Sequence, residues 1–169
     1  MLRLFVLCFG LMLVTGCATT AEKGSDKVAS KRSENLGVME KQTLLSQYPA
    51  FTLEYQNYYP SQADIAAMAA LQDKEILVLF GTWCHDSERE VPRLLKLIDE
   101  SGVNLRKLTL VAVDMDKTEP GNLHLVYGLR FTPTIILIED GLEVARIVER
   151  PNQSIAKDFV DALTQRRVR

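Results

Sequence analysis

Ile76-Leu77-Val78-Leu79-Phe80-Gly81-Thr82-Trp83-Cys84-His85-Asp86-Ser87 is the stretch on which the fold of this chain turns. Its first five residues are all apolar and three carry the branched or aromatic side chains that suit a pleated surface. Such a run predicts a central strand covered on both faces. The pattern then changes period. From Cys84 to about Ser101 the apolar residues Val91, Leu94, Leu95 and Ile98 fall on one side of a 3.6-residue repeat, which predicts a helix, with Pro92 expected to kink it. A buried strand therefore runs straight into an amphipathic helix, with a cysteine at the junction.

Working outward, Leu108 to Val113 is a second buried strand. Thr134 to Ile138 and Leu142 to Val148 are strands joined through Glu139-Asp140-Gly141, a hairpin signal. Asn122 to Tyr127 is a short helix, and Ser154 opens a last one running to about Gln165. Ser61 followed by Asp64 has the form of an N-cap with an acidic third position, so Gln62 to Leu71 is expected to be helical. Val38 to Gln47 predicts a short helix ending before Pro49. Phe51, Leu53 and Tyr55 alternate with polar residues, which predicts a half-buried strand. From that strand onward the order is β-α-β-α-β-α-β-β-α, an α/β layer protein with a central mixed sheet that ends in a hairpin and a helix.

The 169 residues suit one domain plus a tail, and 47% hydrophobic and 25% charged residues are ordinary for a globular protein. The net charge is −2, and Arg3 is the one charge among the first sixteen residues, so their removal leaves −3. That balance gives no reason to expect nucleic acid as a partner. Of the three cysteines Cys8, Cys17 and Cys84, no pair has zinc-site spacing and no disulfide framework exists. No metal or cofactor is expected. His124 sits on the short helix and is read as a packing or surface histidine. Glu88 and Glu90 suit the positive end of the helix after Cys84. Arg166, Arg167 and Arg169 finish the last helix as a solvated end.

The N-terminus reads as an address. Met1 to Arg3 is a short positive start, and Leu4 to Val14 is an apolar stretch of signal-peptide length that runs into Val14-Thr15-Gly16-Cys17. This resembles the lipobox of bacterial lipoproteins. The resemblance implies cleavage before Cys17 and acylation of that cysteine, an anchor held by more than one chain. Ala18 to Asn35 is rich in Ala, Ser, Thr, Lys and Glu without an aromatic residue, the composition of a tether. The expected organisation is a signal peptide over 1–16, a lipidated cysteine and tether over 17–37, and a folded domain over 38–169. The expected location is the cell envelope, facing the periplasm. Ala18 in place of a retaining aspartate favours the outer membrane.

The folded part resembles thioredoxin. The family places Trp-Cys-x-x-Cys at the strand-to-helix junction, where this chain has Trp83-Cys84-His85-Asp86-Ser87. Pro92, then Pro120-Gly121, Tyr127-Gly128-Leu129-Arg130, Thr132-Pro133-Thr134 and Gly141 match the rest of its pattern over about Tyr48 to Gln165. The resemblance implies a cis peptide bond before Pro133, with Thr132 pairing its backbone to an extended substrate segment, and a surface shaped by Trp83 and His85. Two departures stand out. Ser87 replaces the second cysteine, and Val78 occupies the position of a buried aspartate that assists proton transfer. A hydroxyl cannot resolve a mixed disulfide, so the dithiol route is closed.

Cys84 at a helix start still has the free amides and dipole that favour a thiolate. Ser87, one turn on, is expected to donate to that sulfur, and His85 to assist if protonated. Asp86 would oppose, and it is expected to face solvent. The implied activity is monothiol thiol–disulfide exchange, with Cys84 as nucleophile and Ser87 beside it. Its partners would be client thiols or disulfides of the envelope, an external thiol reductant, and the membrane through Cys17. The alternatives are a redox-inactive peptide-binding module and, third, a metal-handling protein.

Overall fold

The computed structural model describes residues 35–168. Cys8, the lipobox with Cys17, the tether up to residue 34, and Arg169 lie outside the described residues. A five-stranded sheet in the order β1-β3-β2-β4-β5 organises the domain. Strand β2 (Glu75–Gly81) is central and parallel to β3 (Lys107–Val113), with Glu75 opposite Lys107 and Gly81 opposite Val113. On its other side β2 pairs antiparallel with β4 (Thr134–Glu139), which forms a hairpin with β5 (Leu142–Val148). Asp140 and Gly141 both have positive φ, 51° and 76°, the backbone that an Asp-Gly hairpin turn requires.

The sheet edge beyond β3 is closed by a two-residue strand, β1 (Gly37–Val38), antiparallel to Ala112 and Val111. The expected helix over 38–47 therefore begins later, as α1 (Lys41–Gln47). The strand expected at Phe51, Leu53 and Tyr55 is instead a helix, α2 (Pro49–Asn57), with Pro49 in its first turn, where a missing N–H costs nothing. Five alternating residues also contain an i, i+4 pair, and Phe51 and Tyr55 are that pair. Phe51 is fully buried against Phe80, with ring centroids 5.9 Å apart, while Leu53 is exposed.

Ser61 caps α3 (Gln62–Ala67), its hydroxyl accepting from the Asp64 amide, and a 3-10 turn (Met68–Leu71) completes the expected helical stretch. Helix α4 (His85–Ser101) runs through Pro92, and Gly102 ends it in the left-handed conformation. The short α5 (Leu123–Val126) and the last helix α6 (Ile155–Arg167) follow, the latter capped by Ser154.

Alternation along the strands splits the core in two. Ile76, Val78, Phe80, Leu110, Ala112, Ile135 and Leu137 face the main core with Phe51, Leu94, Leu95 and Phe159 from the helices. Leu77, Leu79, Val111, Ile136 and Ile138 face the other way, under Leu123, Tyr127 and Leu129. With both faces covered, β2 has the continuous apolar sequence of a central strand. Its rigid end is where the cysteine begins. Among the described residues, no helix is long and apolar enough to cross a membrane.

Candidate functional site

Strand β2 stops at Gly81, and the turn Thr82-Trp83 delivers Cys84 to the N-cap of α4 with extended backbone, φ −100° and ψ 121°. The Cys84 amide donates to the Gly81 carbonyl at 3.1 Å, and the Cys84 carbonyl accepts from Glu88 at 2.9 Å as the first bond of the helix. The sulfur is half-buried, and Cys84 is the free cysteine among the described residues. Its Sγ lies 3.1 Å from the carbonyl oxygen of Thr132, to which the thiol donates.

The Thr132–Pro133 bond is cis, as the resemblance implied. Thr132 and Pro133 are both buried, and the loop is pinned from two sides. The Pro133 carbonyl accepts from the Glu149 amide just beyond β5 at 2.8 Å, and the Thr134 hydroxyl donates to the Phe131 carbonyl at 2.8 Å. The sequence thus brings together two segments 48 residues apart, Cys84 and Thr132-Pro133.

Trp83 is 38% exposed. Its ring folds back over the end of the sheet, where Nε1 donates to the Val113 carbonyl at 3.2 Å. Gly81 makes this possible: a Cβ there would sit 2.6 Å from Cε2 of the ring. A single glycine after an apolar run carries no signal of that packing, and its role was not readable in the sequence.

Three expectations change at this point. Ser87 is fully buried, and its Oγ accepts from the Gly81 amide at 3.2 Å; it is bonded to the strand end and not to Cys84. The hydroxyl satisfies an N–H left over where the strand turns away, while its own proton makes no bond to the sulfur. His85 is almost wholly exposed and its Nδ1 pairs with Glu88 at 3.0 Å, not with the sulfur. Asp86 does not face solvent. It is 20% exposed and is held by Arg89 at 2.7 Å and by Arg150 at 3.1 Å. Burial pushes its carboxyl up, but the hydrogen bonds and charges of the two arginines outweigh that and hold it below the usual carboxylate range. Arg89, one turn on, was readable as a partner; Arg150, 64 residues away, was not.

Elsewhere, Val78 is fully buried between Leu110 and Ile135, so the interior beneath the site is apolar where the resemblance would place an acid. His124 is taken up by structure. Its Nδ1 lies 3.2 Å from the buried Glu119 carboxylate, which also accepts from the amides of Gly121 and Leu123. Burial raises the Glu119 carboxyl, and these bonds more than offset it, so the net direction is down. Glu90 is buried and paired with Arg89. Among the described residues, no group of three His, Cys, Asp or Glu is placed to hold a metal ion.

A central strand that ends at a helix-capping cysteine, a cis-proline loop against the sulfur and a closing hairpin and helix define a thioredoxin-like fold. No family model matches the chain, and no curated protein does either. Among solved structures, it is similar to a protein of unknown function from Pseudomonas aeruginosa, at 16% identity and a TM-score of 0.50 over 82% of this chain and 86% of that one. An HIV epitope-scaffold matches at 13% identity and a TM-score of 0.53, over 80% and 97%. A thioredoxin mutant from Entamoeba histolytica matches at 20% identity over 61% and 91%, with a TM-score of 0.38 that adds no weight. At these identities the likeness concerns the fold alone.

Proposed function

We propose that this is a monothiol thiol–disulfide exchange protein of the bacterial cell envelope, working through Cys84 and anchored by lipid on Cys17. The observation that carries the reading is the seat of one sulfur. It is partly buried at the N-terminus of a seventeen-residue helix and lies 3.1 Å from the carbonyl of the residue before a cis proline. The thiolate is the attacking form in such an exchange.

The chemistry balances with a single protein thiol. The Cys84 thiolate attacks one sulfur of a client disulfide. The client S–S bond breaks as the mixed disulfide forms, and the leaving client thiolate takes a proton from solvent. If another thiol of the client attacks the client sulfur, Cys84 is released and the disulfide has moved, which is isomerisation. If a small thiol attacks the Cys84 sulfur instead, the client leaves as a dithiol. A second small thiol then clears Cys84, and two small thiols have been oxidised to one disulfide. Ser87 supports the junction by holding the Gly81 amide and does not resolve the adduct.

A second reading is favoured by the same hydrogen bond. A thiol that donates to Thr132 is a resting, protonated group, and the cis-proline loop would then serve a redox-inactive module that docks extended peptides. Non-reducing gels of cells expressing the protein distinguish the two. The exchange reading expects adducts that vanish in Cys84→Ala, and their absence from the natural protein leaves the peptide-binding module. Cys17→Ser should lose palmitate labelling and move the protein out of the membrane fraction; unchanged labelling removes the lipid anchor.

A further inference from the structure

The chain enters the sheet at the end where the cysteine leaves it. Strand β1 is antiparallel to β3 and pairs Gly37 with Ala112 and Val38 with Val111, so the residues before it lie at the C-terminal end of β3. Strand β2 is parallel to β3 and pairs Gly81 with Val113 at that same end. Asn35 and Leu36 accordingly line one groove of about 590 Å³ with Thr82, Trp83, Val113 and Met115. The opposite end of the sheet, at Glu75 and Lys107, is a full seven-residue strand away, about 20 Å.

From this we infer that the substrates of Cys84 are thiols and disulfides of proteins held close to the bilayer in which the chain is anchored. The inference rests on the exchange reading and on the lipid anchor at Cys17. Seventeen residues separate Cys17 from Asn35, which lies eighteen positions on. In any conformation those eighteen steps span at most about 65 Å. Joined at the active-site end, that length bounds the distance from the lipid to the site directly. Joined at the Glu75 end, the same length would let the sulfur stand farther off by the height of the sheet.

The groove beside Trp83 suits a protein client. Trp83, Met115 and Phe131 are exposed apolar side chains at this end, which a client segment can cover. Asp114 and Asp116 rim the groove. Hydrogen bonds from the Thr118 amide and hydroxyl outweigh the upward push of burial and hold the Asp114 carboxyl below the usual range. Within the groove these two carboxylates repel anionic headgroups.

The test uses the full acylated chain in vesicles of phosphatidylethanolamine and phosphatidylglycerol, in which a fraction of the ethanolamine headgroups carries a maleimide. Labelling of Cys84 is compared with labelling of Lys107→Cys in a Cys84→Ala background, each normalised to its rate with a soluble maleimide. Lys107 is exposed at the far end of the sheet. The expected result is at least about twofold faster normalised labelling at Cys84, because the tether joins the domain at that end of the sheet and holds it nearer the headgroups. Equal labelling, or faster labelling at position 107, overturns the inference. A chain that does not float with the vesicles overturns it at the anchor. Alkylation needs only a thiol, so either result leaves the exchange reading to its own adduct test.

Discussion

Replacing Gly81 by alanine should dislodge the tryptophan that flanks the sulfur. An ideal Cβ at this position would lie 2.6 Å from Trp83 Cε2, 2.8 Å from Cζ2 and 2.9 Å from Nε1. Carbon contacts are comfortable at about 3.5–4.0 Å, so the ring must shift by about 1 Å. That shift breaks the bond from Nε1 to the Val113 carbonyl, now 3.2 Å. Overpacking of this kind costs about 1–3 kcal/mol, and the lost hydrogen bond falls within that sum. Against it stands a gain of about 0.4–1 kcal/mol from the stiffer unfolded chain, since Gly81 is not among the residues with positive φ. The net expectation is a loss of about 1–2 kcal/mol. Urea unfolding measures it, and Trp83, the one tryptophan of the chain, should report a red-shifted emission in the folded variant. In a Trp83→Ala background the clash is gone, and Gly81→Ala should become neutral or slightly stabilising. An equal cost in both backgrounds would refute the steric argument.

Two further outcomes follow from buried carboxylates. Asp64 accepts from the hydroxyls of Ser61 and Ser154, joining the starts of α3 and α6. Asp64→Ala strands both hydroxyls and should cost about 1–3 kcal/mol in urea, whereas Asp64→Asn keeps an acceptor and should cost less. Acid should weaken the fold through Asp64, Asp86 and Glu119, whose carboxyls are all held below their ordinary values despite burial that raises them. The folded state then binds fewer protons than the unfolded one. The stability these groups add is fully present above an unfolded value of about 4 and is lost as pH falls through the lower folded values. Tm measured against pH should decline in that window, and the decline should be shallower in Asp64→Asn; a flat profile there contradicts the assignment.

The parts of the fold that were legible in the sequence are those whose signal is local and long. Ile76 to Phe80 is buried throughout, and Asp140-Gly141 turns as its residue types demand. Ser61 and Ser154 cap the helices they were expected to open. The stretch from Phe51 to Tyr55 was misread because five residues are too few to separate a period of two from an i, i+4 pair, and Pro49 at the first helical turn was the signal that could have decided it. At the site, the junction of Cys84 with Thr132-Pro133 was legible through residue types that the resemblance already joined. The fate of individual hydrogen bonds was not. Ser87 accepts from the Gly81 amide, a bond that depends on how the strand ends, and makes none to the sulfur. Asp86 was expected in solvent because its second partner, Arg150, comes from a segment beyond β5 that no spacing rule ties to the active-site helix.

The most direct test of a one-thiol mechanism is the lifetime of a mixed disulfide between Cys84 and a cysteine-bearing peptide, followed by intact mass with no thiol added. In the natural protein the adduct should persist, because Ser87 is the residue one turn on and a hydroxyl does not displace sulfur. In Ser87→Cys it should collapse at least about 100-fold faster with release of the peptide, since a thiol on the same helical turn attacks at high effective concentration. Ser87→Ala should leave the lifetime as it is. A natural adduct that collapses as fast as the Ser87→Cys adduct would show that something other than a second cysteine resolves it, and would contradict the account.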